Sequence, residues 1–149
     1  FVSDSKTGSI PARLASLRVC SGVLMKYCHL YANKDGGSQI EDKELASANF
    51  DFMPPAPPVR VSDAQTTEKL ILMGVPANWA ETESHPAPAS QWVFILQGLV
   101  EFIASNGDSR LLGPGGILLA EDTTGKGHRT LIHGDDDVLL AVVKCDGST

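Results

Sequence analysis

The chain has 149 residues, of which 42% are apolar and 20% charged, and its formal net charge is −6. This length fits one domain with a hydrophobic core, and the composition is that of an ordinary globular protein. The acidic balance, without a cluster of Lys or Arg, argues against nucleic acid as a partner. The longest apolar runs are far shorter than the roughly 20 residues of a membrane helix, so no membrane span is predicted.

Residues 24–31 are aromatic-rich and of strand length, and Asn-Lys-Asp-Gly-Gly at 33–37 supplies a turn. Residues 41–48 hold reasonable helix formers, and only there is a helix credible. Four prolines within residues 53–59 predict an extended connector. The connector separates an amino-terminal arm, residues 1–53, from a main body, residues 54–149, within one structural domain.

Short apolar runs separated by turn signals follow the connector. The clearest pair is a hairpin, because Asn106-Gly107 takes the positive φ angles of a tight turn. Many short strands of this kind predict an all-β sandwich or barrel. The predicted strands are residues 69–75, 91–96, 99–104, 110–112, 117–120, 130–133 and 138–143.

Cysteine usage bears on the compartment. Cys20, Cys28 and Cys145 match no zinc spacing, and their odd number argues against a disulfide framework. They are interpreted as buried thiols in a reducing compartment, which predicts a cytoplasmic location. A nucleophilic cysteine is the alternative, and it requires a partnered histidine. The polar start, residues 3–9, lacks the apolar run of a secretory signal.

Residues 85–98 read His-Pro-Ala-Pro-Ala-Ser-Gln-Trp-Val-Phe-Ile-Leu-Gln-Gly. This segment resembles the first motif of the cupin superfamily, in which His-x-His, a Glu and a Gly follow in order. His85 occupies the first histidine position, Ala87 the second, Gln91 the glutamate position and Gly98 the closing glycine. The resemblance implies that the histidine and glutamate positions face the interior of a barrel.

Strand alternation extends this prediction along the same segment. Side chains two residues apart share a face, so Val93 and Ile95 are expected beside Gln91 on the interior face, in contact with substrate. Trp92 and Phe94 then face the other way, where they are interpreted as packing between sheets or across a dimer.

Residues 113–128 read Gly-Pro-Gly-Gly-Ile-Leu-Leu-Ala-Glu-Asp-Thr-Thr-Gly-Lys-Gly-His and resemble the second cupin motif, which ends at a histidine, here His128. The Glu-Asp-Thr-Thr-Gly-Lys-Gly loop is about two residues longer than the common form, and it resembles a subgroup of small cupins. In that subgroup a histidine is expected where Gln39 stands. Glu121 and Asp122 are expected to cap the loop, with an acid–base pair to His128 as the alternative.

The resemblance implies a double-stranded β-helix (jelly-roll) cupin barrel with an amino-terminal arm, and a homodimer in which arm strands cross to the partner. Cupin metal sites generally use three histidines and a glutamate. Here only His85 and His128 remain at matching positions, and Gln91 is a poor ligand. No cofactor is therefore predicted beyond a weakly bound divalent metal, unless Glu41, Glu101 or His29 completes a ligand set.

The predicted function is acid–base chemistry on a small, oxygenated, carbonyl-containing secondary metabolite inside the barrel. His85 and His128 are the candidate acid and base, since imidazole titrates near neutral pH, and Gln91 orients the substrate carbonyl. Gln39, Lys126 and Arg129 are further candidate substrate contacts, with Lys126 or Arg129 holding a carboxylate or enolate. Isomerisation, cyclisation, dehydration and decarboxylation all suit such a site, which makes the enzyme a lyase or isomerase. A non-catalytic binding cupin and a metal-dependent oxygenase are the alternatives.

Overall fold

The computed structural model describes residues 25–147, so Cys20 and the polar start lie outside the described residues. The described part is all-β, which confirms the predicted fold class at that level. Its strands are β1 (Lys26–Ala32), β2 (Ser38–Glu44), β3 (Ser47–Phe50), β4 (Val59–Ser62), β5 (Thr67–Val75), β6 (Gln91–Gln97), β7 (Leu99–Ala104), β8 (Ser109–Leu112), β9 (Ile117–Glu121), β10 (His128–His133) and β11 (Val138–Cys145). Within residues 25–147, no helix has the length and apolar character needed to cross a membrane.

The strands form three sheets. Six strands pair in the order β2-β1-β9-β6-β11-β5, three in the order β10-β7-β8, and β3 pairs with β4. Strand β1 pairs parallel with β9, so strands from the predicted arm and the main body share the six-stranded sheet. Every strand predicted after the connector is present, and the β7-β8 hairpin turns at Gly107 with a φ of 88°.

The helix considered for residues 41–48 is wrong. Strand β2 pairs along its whole length with β1, from Ala32↔Ser38 to Lys26↔Glu44, and β3 begins at Ser47. The side chains of β2 after Ile40 are exposed, and this suits the polar residues that made a helix credible. Tertiary pairing therefore overrides local helix propensity here.

The apolar core lies between the six-stranded and the three-stranded sheet, because both contribute to one buried cluster. Leu30, Val93 and Leu118 come from the larger sheet, and Val100 and Phe102 from the smaller one. Burial of apolar side chains makes the dominant favourable contribution to the free energy of folding. The two sheets also enclose an open-sided cavity of about 440 Å³, which is within the range of small-molecule sites.

Candidate functional site

The cavity between the sheets is apolar except for one polar cluster. Six core side chains belong to its lining: Val93, Phe102, Leu118, Ile132, Leu140 and Val142. The polar side chains that line it are Glu81, His85, Gln91, His128 and Thr130, and the partly exposed Trp79 also belongs to the lining. An apolar cavity with a few convergent polar groups is the usual form of a site for a small organic molecule.

His85 and His128 meet because the segment before β6 runs antiparallel to β10. The backbone N–H of each histidine donates to the carbonyl oxygen of the other at 3.0 Å, and their ring centroids lie 5.4 Å apart. The same segment continues its pairing at Trp79, whose carbonyl oxygen accepts from the Ile132 N–H at 2.9 Å. The two motif histidines, 43 residues apart in the sequence, thus become neighbours in one wall of the cavity.

Gly127 allows the loop before β10 to pack closely against the backbone of His85. It has a φ of 68°, and a Cβ added there would lie 2.0 Å from the carbonyl carbon and oxygen of His85. The loop is also tied to the turn after β1, because the Ser38 hydroxyl donates to the Gly127 carbonyl oxygen at 2.6 Å and the Lys126 N–H donates to Gly36 at 2.9 Å. Close backbone packing, rather than free movement, explains a glycine at this position.

His128 is buried and pairs with a buried carboxylate. Its Nδ1 donates to Asp122 Oδ2 at 2.6 Å, and Asp122 is fully buried. Asp122 Oδ1 has no hydrogen-bond partner within residues 25–147. The side chain of Asp122 therefore does not cap the loop, and the alternative pairing with His128 is the observed one. With Nδ1 protonated, Nε2 of the neutral ring carries the lone pair.

His85 is half exposed and lies between two acceptors. Its Nε2 donates to Glu81 Oε1 at 2.5 Å, and its Nδ1 donates to the Pro86 carbonyl oxygen at 3.0 Å. Both hydrogen bonds are complete only when both ring nitrogens are protonated. The hydrogen bond to Glu81, followed by that to Pro86, raises the pKa of His85 above its ordinary value, although partial burial opposes the change.

The remaining motif positions on β6 alternate as predicted. Gln91 and Val93 line the cavity, whereas Trp92 and Phe94 lie on the opposite face, where the ring of Trp92 meets that of Tyr27 at 5.1 Å. Ile95 is buried in the core and lies outside the cavity lining.

Three further sequence candidates lie away from this cavity. The side chain of Gln39 donates to the Tyr31 hydroxyl on β1. Lys126 is exposed in the loop before β10, and Arg129 alternates with the cavity-lining His128 and Thr130, so neither belongs to the lining. Proximity to His128 in the sequence does not reveal which way a side chain points. The sequence therefore could not show that Lys126 and Arg129 lie outside the cavity lining.

The residues considered for a metal site are also separate from the motif histidines. His29 Nε2 binds Glu121 Oε2 at 2.6 Å, Glu101 binds His133 Nε2 at 2.6 Å, and Glu41 accepts from the Tyr31 hydroxyl at 2.5 Å. In the described part of the chain, His, Cys, Asp and Glu side chains form no group of three or more that could hold a metal ion.

As with Thr130, nothing in the sequence points to Glu81 as a polar cavity residue. It lies four residues before His85, outside both motif-like segments, and its role depends on the backbone pairing of its segment with β10. A Glu-x-x-x-His spacing alone carries no specific signal in an extended segment. Searches for related proteins returned no matching family model and no matching curated protein.

Proposed function

We propose that this chain is a cupin-type enzyme that catalyses proton transfer on a small carbonyl-containing metabolite in the cavity between its sheets. One observation carries the proposal: His128 is held by buried Asp122 through Nδ1, next to a second histidine with different hydrogen bonding. Two neighbouring titratable groups in unlike environments are typical of paired acid–base roles. The motif resemblance and the apolar cavity support a jelly-roll barrel as the scaffold.

His128 is the base in this proposal. Asp122 holds the tautomer that is protonated at Nδ1, and the other nitrogen, Nε2, has no hydrogen-bond partner within residues 25–147. Nε2 takes a proton from the carbon next to the substrate carbonyl, and Asp122 stabilises the imidazolium that results. This division of roles is the one that a carboxylate–histidine pair performs in other enzymes.

His85 and Gln91 stabilise the negative charge that develops on the substrate oxygen. His85 supplies positive charge at a ring-centroid distance of 5.4 Å from His128. The side-chain amide of Gln91 donates to the same oxygen from β6, as the sequence predicts. Fixed dipoles and charges in an apolar cavity act strongly on a developing charge because little water screens them.

The proton on His128 then returns to the substrate at the same or a different carbon, or it passes to a hydroxyl group next to the enolate, which departs as water with the electrons of its C–O bond. The first course gives exchange or isomerisation, and the second gives elimination, as in a dehydratase. Cyclisation and decarboxylation pass through related enolates. The cavity is compatible with each of these reactions, all of which are performed by lyases or isomerases, and the cupin resemblance favours a substrate from secondary metabolism.

Hydrogen–deuterium exchange of a ketone tests this proposal. We expect the protein to accelerate loss of the α-carbon protons of α-tetralone in D2O, followed by proton NMR. Replacing His128→Ala should slow the catalysed exchange by about 10²- to 10⁴-fold, the usual contribution of a general base. His133→Gln is the matched control, because His133 is on the same strand but binds Glu101 on the other face.

The outcomes separate the alternatives. Binding of α-tetralone without catalysed exchange would contradict the enzyme proposal and favour a binding cupin. Unchanged exchange in the His128→Ala variant would remove His128 as the base. Near-stoichiometric iron by elemental analysis, lost in both the His85→Ala and His128→Ala variants and accompanied by oxygen consumption, would favour the oxygenase.

We also propose a homodimer, which the cupin resemblance implies. The edge strand β5 supports it, because Leu70 and Leu72 are each 66% exposed and Ile71 is 50% exposed. Apolar rows on a free sheet edge are uncommon in monomeric proteins. We expect a dimer mass by light scattering in wild type and a smaller mass in Leu72→Glu, and a monomeric wild type would contradict the proposal.

A further inference from the structure

Glu81 links the cavity histidine to strand β10 through both of its carboxylate oxygens. Oε1 accepts from His85 Nε2 at 2.5 Å, and Oε2 accepts from the Thr130 N–H at 2.6 Å. The backbone N–H of Glu81 also donates to the Thr130 carbonyl oxygen at 3.0 Å. Only 15% of its side chain is exposed, so this carboxylate is held in one geometry at the cavity wall.

The ring of His85 is held from both sides. Glu81 accepts from one ring nitrogen, and the Pro86 carbonyl oxygen accepts from the other at 3.0 Å. A neutral ring would leave one of these acceptors facing a lone pair. The other titratable groups near the ring are Asp122, whose negative charge also favours protonation, and His128, whose ring lies 5.4 Å away.

We propose that Glu81 is a positioning residue that keeps His85 protonated and fixes its ring against β10, so that a cation stands beside the base. This inference deepens the proposed function, on which its catalytic meaning rests. It gives the two carboxylates different tasks: Glu81 and the Pro86 carbonyl oxygen together accept from both ring nitrogens of His85, which favours the imidazolium. Asp122 accepts only from Nδ1 of His128 and leaves Nε2 without a hydrogen-bond partner within residues 25–147. A carboxylate favours the charged form of an adjacent imidazole through hydrogen bonding and Coulomb attraction.

The charge of His85 can be measured without any substrate. Proton–nitrogen correlation spectra of the histidine rings, recorded across neutral pH, report whether one or both nitrogens of each ring are protonated. We expect wild-type His85 to remain doubly protonated above the ordinary histidine midpoint of about 6.5. A wild-type midpoint at or below that value would overturn the proposal before any variant is made.

The variant Glu81→Gln then isolates the role of the carboxylate. Its amide oxygen can still accept from the Thr130 N–H, so the attachment to β10 is preserved while the negative charge is lost. We expect the midpoint of His85 to fall, because the hydrogen bond and the negative charge that favour its protonated form are lost. Glu83→Gln is the matched control, since Glu83 is a nearby exposed carboxylate outside the cavity lining, and it should leave the midpoint unchanged.

An unchanged midpoint in Glu81→Gln would also overturn the proposal. Failure of this inference can be told from failure of the proposed function. Catalysed α-tetralone exchange with an ordinary His85 midpoint would contradict the role of Glu81 alone. A raised midpoint that depends on Glu81, without exchange of any ketone that binds, would support the positioning role and contradict the enzyme.

If both the proposed function and the role of Glu81 are correct, the pH dependence of the exchange rate distinguishes a positioning role of Glu81 from a structural one. We expect Glu81→Gln to lose catalysed exchange progressively as pH rises through the lowered His85 midpoint, with near-normal exchange below it. His128→Ala should be slow at every pH. A uniform loss across pH in Glu81→Gln would indicate a merely structural role for Glu81 and would contradict the proposal.

Discussion

His85 and His128 exchange a reciprocal pair of backbone hydrogen bonds, each N–H donating to the carbonyl oxygen of the other at 3.0 Å. Their backbones are therefore fixed relative to each other independently of the ring contacts. The rings differ in what they bind, Glu81 and Pro86 for His85 and Asp122 for His128. This difference is the basis of the predictions that follow.

Replacing Asp122→Asn should impair catalysis without removing the imidazole. The asparagine amide can donate to Nδ1 of His128, which favours the tautomer protonated at Nε2 and removes the lone pair from the base. We expect catalysed α-tetralone exchange to fall by at least about 10²-fold near neutral pH.

The control for this change is Glu121→Gln. Glu121 is adjacent in the chain and also binds a histidine, but its partner His29 lies outside the cavity lining. Exchange at the wild-type rate is expected in Glu121→Gln. Equal losses in the two variants would mean that Asp122 acts only through general stability.

Two glycine substitutions test the close approach of the loop to His85. Gly127 and Gly134 both have positive φ, 68° and 85°, so alanine at either position carries a backbone cost of about 1–3 kcal/mol. Only at Gly127 would the new Cβ overlap the backbone of His85, whereas nothing lies within 4 Å at Gly134. In urea unfolding, Gly127→Ala should lose clearly more stability than Gly134→Ala. Equal losses would show that the approach of the two segments is loose.

The raised pKa of His85 predicts a pH-dependent stability. A group whose pKa is higher in the folded protein stabilises the fold fully below its unfolded value, about 6.5 for histidine, and this contribution is lost as pH rises through the folded value. The free energy of unfolding of wild type, relative to His85→Gln, should therefore decrease with rising pH in this window. A difference that increases with pH would contradict the assignment of charge to His85.

The lining of the cavity predicts a preference for uncharged ligands. Its walls are mainly apolar, it contains the Glu81 carboxylate, and the two cations proposed from the sequence, Lys126 and Arg129, lie outside it. We expect α-tetralone to bind at least about tenfold more tightly than the same ketone carrying a ring carboxylate. The imidazolium of His85 is already paired with Glu81, so a ligand carboxylate buried in the cavity would lack a partner of its own.

Fluorescence provides the measurement and its control. The chain has two tryptophans, of which Trp79 lines the cavity and Trp92 lies on the other face of β6. Quenching by α-tetralone should disappear in Trp79→Phe, while calorimetry still detects binding. Tighter binding of the carboxylate than of α-tetralone would contradict the predicted preference.

The strands of the main body could be predicted because each combines an apolar run with a turn signal at its end. Strand β7 was located to the residue, and the β7-β8 hairpin followed from Asn106-Gly107. Strand β2 could not be predicted, because its polar residues are equally compatible with an exposed strand and with an exposed helix. Its pairing with β1 decides between them, and that pairing requires the fold.

Prediction of the candidate site is limited in the same way, because contacts that depend on the fold cannot be read from the local sequence. His85, Gln91 and His128 could be placed in one cavity because a spaced motif carries information about direction as well as identity. Glu81 could not be found, since its contact with His85 depends on a segment running along β10, 49 residues further in the chain at Thr130. The sequence after Asp122 is typical of a turn and favours capping, whereas the structure pairs Asp122 with His128.

The tautomer of His128 decides whether it can be the base. In ligand-free protein, proton–nitrogen correlation spectra of the neutral ring should show Nδ1 protonated, with its proton directed to Asp122, and Nε2 unprotonated. Loss of this pattern in Asp122→Asn would confirm that the carboxylate maintains it. A wild-type ring protonated at Nε2 instead would leave no lone pair on the nitrogen proposed as the base, and would contradict the proposed chemistry.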